Sequence, residues 1–111
     1  MRIELKARHI RRSDSLEAHV ERRVLLALSR FANEIEAVTV VIEDVNGPRG
    51  GADKRCALTA RGPRIGTIFV EQTATDAYGA VDLLAGRAGR SVARAVGRLR
   101  ERSSAGEPRR P

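Results

Sequence analysis

Residues 35–45 read Ile-Glu-Ala-Val-Thr-Val-Val-Ile-Glu-Asp-Val. The run is rich in β-branched residues, and Val38, Val40 and Ile42 recur at every second position. That is the period of a strand with one buried face. Asn46-Gly47-Pro48-Arg49-Gly50-Gly51 comes next and is a loop by composition. A second alternating run, Lys54 to Ala60, sets Cys56, Leu58 and Ala60 on one face. Arg61-Gly62-Pro63-Arg64 reads as a turn, and Ile65 to Gln72 as a further strand with Ile68 and Val70 inward. Three strands joined by short connections make an antiparallel meander.

On the N-terminal side, residues 2–8 alternate as well: Ile3, Leu5 and Ala7 against Arg2, Glu4, Lys6 and Arg8. Ser13-Asp14 then offers a helix N-cap, with Glu17 three residues after Asp14 as in a capping box. Leu16, Val20, Val24, Ala27 and Phe31 form the apolar stripe of a helix ending near Asn33. On the C-terminal side, Thr75-Asp76 caps a longer helix running to about Arg102. Its stripe is Ala77, Val81, Leu84, Ala88, Val92, Ala95, Val96 and Leu99. The expected domain is 1–102, followed by a disordered basic tail over 103–111. The order β-α-β-β-β-α predicts an α+β fold: a two-layer sandwich, with two helices on one face of a four-stranded sheet.

The chain is 111 residues long, which suits one small domain. Aromatic residues make up 3% and Trp is absent, so the core must come from Val, Ile, Leu and Ala. A single Cys excludes an intrachain disulfide and a Cys-rich zinc site. The longest apolar run, Val24 to Leu28, is too short to cross a bilayer, and the first residues hold no signal core. The expected address is the cytoplasm, with no membrane partner.

Charge is the first functional clue. The net charge is +7, and all the basic residues but Lys6 and Lys54 are Arg. Such a balance points to an anionic partner, most often nucleic acid. From Leu83 to Pro111 there are eight Arg and two Glu, whereas residues 1–82 are nearly balanced. Arg87, Arg90, Arg94 and Arg98 fall within about 80° of arc on the last helix, beside its apolar stripe. They run about 16 Å along the axis, and guanidinium groups in line can track a phosphate backbone. Arg22, Arg23 and Arg30 on the first helix could extend the patch, although Glu17 and Glu21 can pair with them. Arg8, Arg11 and Arg12 in the connection between first strand and first helix could add phosphate contacts.

No catalytic constellation accompanies this charge. His9 and His19 have no nucleophile at a recognisable spacing, and Cys56 belongs on an apolar strand face as a core residue. Gly89-Arg90-Ser91 lacks the preceding Gly, the Lys and the strand of a phosphate-binding loop. Gly47-Pro48-Arg49-Gly50-Gly51 lacks the Lys-Ser/Thr and the following helix of such a loop and is expected to be a flexible connection, with RNA contact by Arg49 as the alternative. Val41 and Phe69 are expected together on the open sheet face, as cross-strand packing or as a platform for a base. No enzyme activity, cofactor, metal or small-molecule substrate is expected.

The arrangement resembles the short ribosome hibernation-promoting factors and ribosome-associated inhibitors, also called sigma-factor modulation proteins. Met-Arg-Ile-Glu-Leu-Lys-Ala-Arg-His-Ile at 1–10 is similar to that family's first strand, and Ser13-Asp14-Ser15-Leu16 with Val20 and Phe31 to its first helix. Asp76-Ala77-Tyr78-Gly79-Ala80-Val81-Asp82 resembles the family's Asp-x-Tyr-x-Ala-Ile/Val-Asp helix entry. Arg87, Arg90 and Arg94, and Arg23 on the first helix, stand where the family places basic residues. The resemblance covers residues 1 to about 100. It implies the same β-α-β-β-β-α fold and binding to ribosomal RNA of the small subunit, in the channel used by messenger and transfer RNA. It implies inhibition of translation in stress or stationary phase. Departures are the longer, Gly-rich loop at Asn46–Asp53, Leu26 at an often basic position, a short basic tail, and no second domain. Two other functions fit the residues: a general double-stranded RNA binder, or a regulator binding a sigma factor through the open sheet face.

Overall fold

A computed structural model describes residues 1–45 and 53–106, with side chains described to 102. Alternation at the N-terminus becomes strand β1 (Arg2–Arg8). His9, with φ 56°, turns the chain out of it, a left-handed conformation that His tolerates better than most residues. Helix α1 (Asp14–Leu28) starts at Ser13, whose Oγ accepts the Leu16 N–H at 3.1 Å. Glu17 does not close the expected capping box; its carboxylate is taken by the Arg12 guanidinium at 3.1 and 3.2 Å. The helix tightens into a 3-10 segment over Ser29–Glu34 before β2 (Ala37–Asp44).

Strands β3 (Lys54–Gly62) and β4 (Gly66–Ala74) complete the sheet in the order β1-β2-β3-β4. The three later strands are the antiparallel meander read from the sequence, with Leu58 opposite both Val40 and Val70. β1 pairs parallel to β2, with Leu5 opposite Val40, and α1 supplies the crossover that a parallel pair requires. The β3–β4 hairpin turns through Gly66 at φ 72°, a region that glycine enters at no steric cost. Gly62, at the other side of the turn, lies so close to the Glu34 carbonyl that a Cβ there would collide with it.

Helix α2 (Ala77–Gly106) is capped by Asp76, whose Oδ1 accepts the Gly79 N–H at 2.9 Å. It runs four residues past Arg102, where the domain was expected to end. Ser103, Ser104 and Ala105 carry no helix breaker, and the first obstacle is Pro108, which disfavours helix at the residue before it. Residues 107–111 of the expected tail, and the Asn46–Ala52 part of the expected loop, lie outside the described residues.

One core joins both layers. Val38, Val40, Ile42, Cys56, Leu58 and Ala60 from the sheet are buried against Val20, Val24 and Leu28 of α1 and Val81, Leu84, Ala88 and Val92 of α2. Burial pushes the Cys56 thiol up to about 12, so it behaves as the small apolar core residue expected of it. Among the described residues no helix is long and apolar enough to cross a membrane.

Candidate nucleic-acid interface

The two helices lie side by side and point the same way. Ser15 meets Tyr78, His19 meets Asp82 and Ala27 meets Gly89, each pair 62 or 63 residues apart in sequence. Tyr78, Asp82 and Gly89 therefore mark the flank of α2 that faces α1. The opposite flank faces β4: Arg87 Nη1 donates to the Glu71 carbonyl at 3.1 Å and lies 3.3 Å from Gln72 Oε1. Arg90, Arg94 and Arg98 share that outer flank by helical spacing, and all are exposed. Arg94 donates to Ser91 Oγ at 3.1 Å, one turn back on the same helix.

Ion pairing sets this row apart from five basic residues elsewhere in the fold. Arg12 is held by Glu17, Arg23 by Asp82, Arg55 by Glu43 and Glu71, Arg64 by Glu34, and Lys54 by Asp44 and Asp53. Donation to the Glu17 carboxylate raises the Arg12 pKa, and accepting those bonds lowers that of Glu17. The Glu71 hydrogen bond does the same for Arg55, and the Asp53 hydrogen bond for Lys54. Among the described residues no α2 arginine forms an ion pair. A cation without a carboxylate partner has no ion pair to give up when it meets a phosphate.

The α1 arginines take other places. Arg22 lies on the outer side of α1 with Nη2 3.5 Å from His19 Nδ1. Arg23 lies in the groove between the helices: its Nε is 3.2 Å from Asp82 Oδ1, but it is buried and misaligned, so the contact is an ion pair and not a hydrogen bond. Arg30 covers the Phe31 ring at 4.7 Å, in the 3-10 segment. These three sit across α2 from Arg87, so they do not lengthen its row; they form a separate basic margin.

The expected basic connection is divided in the same way. Arg8 ends β1 on the open sheet face, in a shallow depression shared with Val41, Arg55 and Phe69. Val41 and Phe69 line that depression from either side of β3, whose Ala57 and Thr59 are their cross-strand neighbours. Arg11 is exposed, and Arg12 turns toward Glu17 beside β1. Strand parity already set Arg8 on the polar face of β1, whereas the direction of Arg12 is decided by its Glu17 partner.

Polar contacts on the α1 side of α2 were not foreseen. His19 Nε2 lies 2.7 Å from Asp82 Oδ1, and the His19 and Tyr78 rings meet edge to face with centroids 5.0 Å apart. The only hint in the sequence was that Tyr78 and Asp82 are one helical turn apart, as are Ser15 and His19.

Comparison with known proteins agrees with this architecture. The family model described as sigma 54 modulation protein / S30EA ribosomal protein matches residues 3–100. The chain belongs to that family. Among solved structures it is similar to the N-terminal domain of Protein Y from Thermus thermophilus, at 25% identity and a TM-score of 0.69, covering 85% of this chain and 98% of that one. It shares its fold with a ribosomal subunit interface protein from Coxiella burnetii, at 18% identity and a TM-score of 0.69, covering 85% and 96%. No curated protein matches the chain. The family match includes β1 and most of α2, so the arginine row through Arg98 lies inside the shared domain.

Proposed function

We propose that this protein is a non-enzymatic, cytoplasmic ribosome-associated hibernation factor. In this reading it binds ribosomal RNA of the small subunit in the channel for messenger and transfer RNA. It inhibits translation there by occupancy. Membership of the S30EA family and the likeness to a Protein Y domain support a ribosomal partner.

The observation that carries the reading is the α2 flank. Its arginines are exposed and free of ion pairs among the described residues, while Arg12, Arg23, Arg55 and Arg64 elsewhere are bound to carboxylates. Arg90, Arg94 and Arg98 offer bidentate donors to phosphate oxygens along a straight helix, and Arg87 fixes that helix to the edge of the sheet. Association needs only docking of this flank, since phosphate contacts position a protein without chemistry.

Cosedimentation tests it. The protein should pellet with small subunits or whole ribosomes at low salt, and not with isolated large subunits. Absence from the small-subunit fraction removes the reading. Equal binding to free duplex RNA makes it a general RNA binder, and indifference to RNA with capture by a sigma factor makes it a transcriptional regulator.

A further inference from the structure

β1 is an edge strand, and its free side is uncovered. Arg2 N donates to Glu36 O at 3.1 Å, so the backbone groups of Arg2, Glu4, Lys6 and Arg8 turn toward β2. By the alternation of a strand, the N–H and C=O groups of Ile3, Leu5 and Ala7 turn away from the sheet. Among the described residues nothing pairs with them. At the other edge strand, by contrast, Arg87 donates to the Glu71 carbonyl of β4. An open strand edge is a template for pairing unless something blocks it.

We propose that this edge pairs with β1 of a second copy of the chain, antiparallel about a two-fold axis at Leu5. In that register residue i faces residue 10 − i of the partner. Leu5 faces Leu5 of the partner subunit, and Ile3 faces Ala7 of the partner subunit. These are the residues whose backbone groups point outward, so every outward group of these three residues gains a hydrogen bond. Glu4 then faces Lys6 of the partner subunit, twice, in the closer, non-hydrogen-bonded positions. In the single chain neither Glu4 nor Lys6 makes an ion pair within 4 Å among the described residues, although the Glu4 charge reaches Arg12; their cross-strand neighbours on β2 are Thr39 and Val41.

Charge disfavours the registers one step to either side. Moving the axis to Glu4 sets Glu4 against itself and Arg2 against Lys6, and moving it to Lys6 sets Lys6 against itself. Like charges directly opposed destabilise a strand pair. The Leu5 axis leaves Arg2 against Arg8 of the partner subunit, also twice, at the two ends where a strand pair can fray. Apolar surface adds to the match. A groove of about 320 Å³ runs between β1 and α1; Met1, Ile3, Leu5, Val20 and Leu25 supply its apolar part, and Glu4, Arg12, Glu17 and Glu21 its charged rim. Leu25 is 42% exposed in the single chain. The two-fold brings the grooves of both copies together. The arginine flank of α2 lies beside β4, at the far side of the sheet, and stays open in the dimer.

Sedimentation equilibrium on the full chain, from about 1 to 200 μM in low salt, tests the pairing. A reversible monomer–dimer equilibrium in the micromolar range is expected. Glu4→Lys and Lys6→Glu should each weaken it by roughly ten-fold or more, since each opposes like charges at two places. The double variant, Glu4→Lys with Lys6→Glu, restores opposite charges and should return the affinity to near the original. Both residues are exposed on the open face, and circular dichroism checks that the variants fold. Hydrogen exchange at the Ile3, Leu5 and Ala7 amides should slow only at concentrations where the dimer forms. A chain that stays monomeric at 200 μM overturns the proposal, as does a dimer indifferent to the single swaps or not restored by the double one.

Discussion

The hydroxyls of Tyr78 and Ser15 lie 2.9 Å apart, joining the first turns of the two helices. The Tyr78 hydroxyl thus reaches across from α2 to α1. His19 closes the same contact by meeting the Tyr78 ring edge-on and Asp82 at 2.7 Å. The Asp76–Asp82 segment therefore supplies the α2 side of a latch between the helices.

Removing the latch should cost stability and not ribosome binding. Tyr78→Phe loses one exposed hydrogen bond, about 0.5–1 kcal/mol. Tyr78→Ala also loses the ring packing and should cost about 1–3 kcal/mol. Urea denaturation of Ser15→Ala, Tyr78→Phe and the pair measures it, with the double variant costing little more than either single one. Tyr78→Phe should still cosediment with ribosomes; loss of binding by a folded Tyr78→Phe would assign the hydroxyl to RNA instead.

Changing Arg87, Arg90, Arg94 and Arg98 together to Gln should weaken ribosome binding strongly and flatten its salt dependence. Each lost phosphate contact lowers the log–log slope by about 0.7–0.9 on simple strands. The structure divides the set. Arg90, Arg94 and Arg98 should leave thermal stability nearly unchanged, whereas Arg87→Gln loosens α2 from the β4 edge and lowers it. Changing Arg109 and Arg110 should do much less to binding. Equal losses from both sets would mean that bulk charge, and not a helical surface, attracts the protein to RNA.

Two glycine substitutions should act in opposite directions. A Cβ at Gly97 meets nothing within 4 Å, so Gly97→Ala should stabilise the exposed helix by about 0.5–1 kcal/mol. A Cβ at Gly62 would strike the Glu34 carbonyl, so Gly62→Ala should cost about 2 kcal/mol or more. Paired thermal melts decide both.

The Cys56 thiol gives a pH signature. Its folded pKa is pushed up to about 12 by burial, above the ordinary thiol value. The folded state therefore holds this proton more tightly than the unfolded chain. The contribution is fully present below about pH 8.5 and is lost as the pH rises toward 12. Stability of the native protein should fall across that window more steeply than stability of Cys56→Val. Thiol-specific reagents at pH 8 should label Cys56 only after denaturation.

The chain alone determined a good deal of this protein. Period-two runs at 2–8, 35–45, 54–60 and 65–72 and the stripes on both helices are local patterns. A side chain's face follows from its own spacing, so Val38, Val40, Ile42, Leu58, Val81 and Leu84 were readable as core. The N-caps at Ser13 and Asp76 were readable for the same reason, since a cap acts within three residues. Leu28 was missed because the stripe was continued through Ala27 to Phe31, whereas the helix tightens into a 3-10 segment after Leu28. Three matters belonged to the tertiary structure. The parallel pairing that makes β1 an edge depends on where α1 returns the chain. The placement of Arg87 against β4, across α2 from Arg23, depends on which flank of α2 meets α1. The ion pairs that occupy Arg12, Arg23 and Arg55 while leaving the α2 row unpaired depend on distances between side chains. Coulombic and hydrogen-bonding contacts need groups within a few ångströms. Except for neighbours such as Arg12 and Glu17, only the folded chain sets those distances.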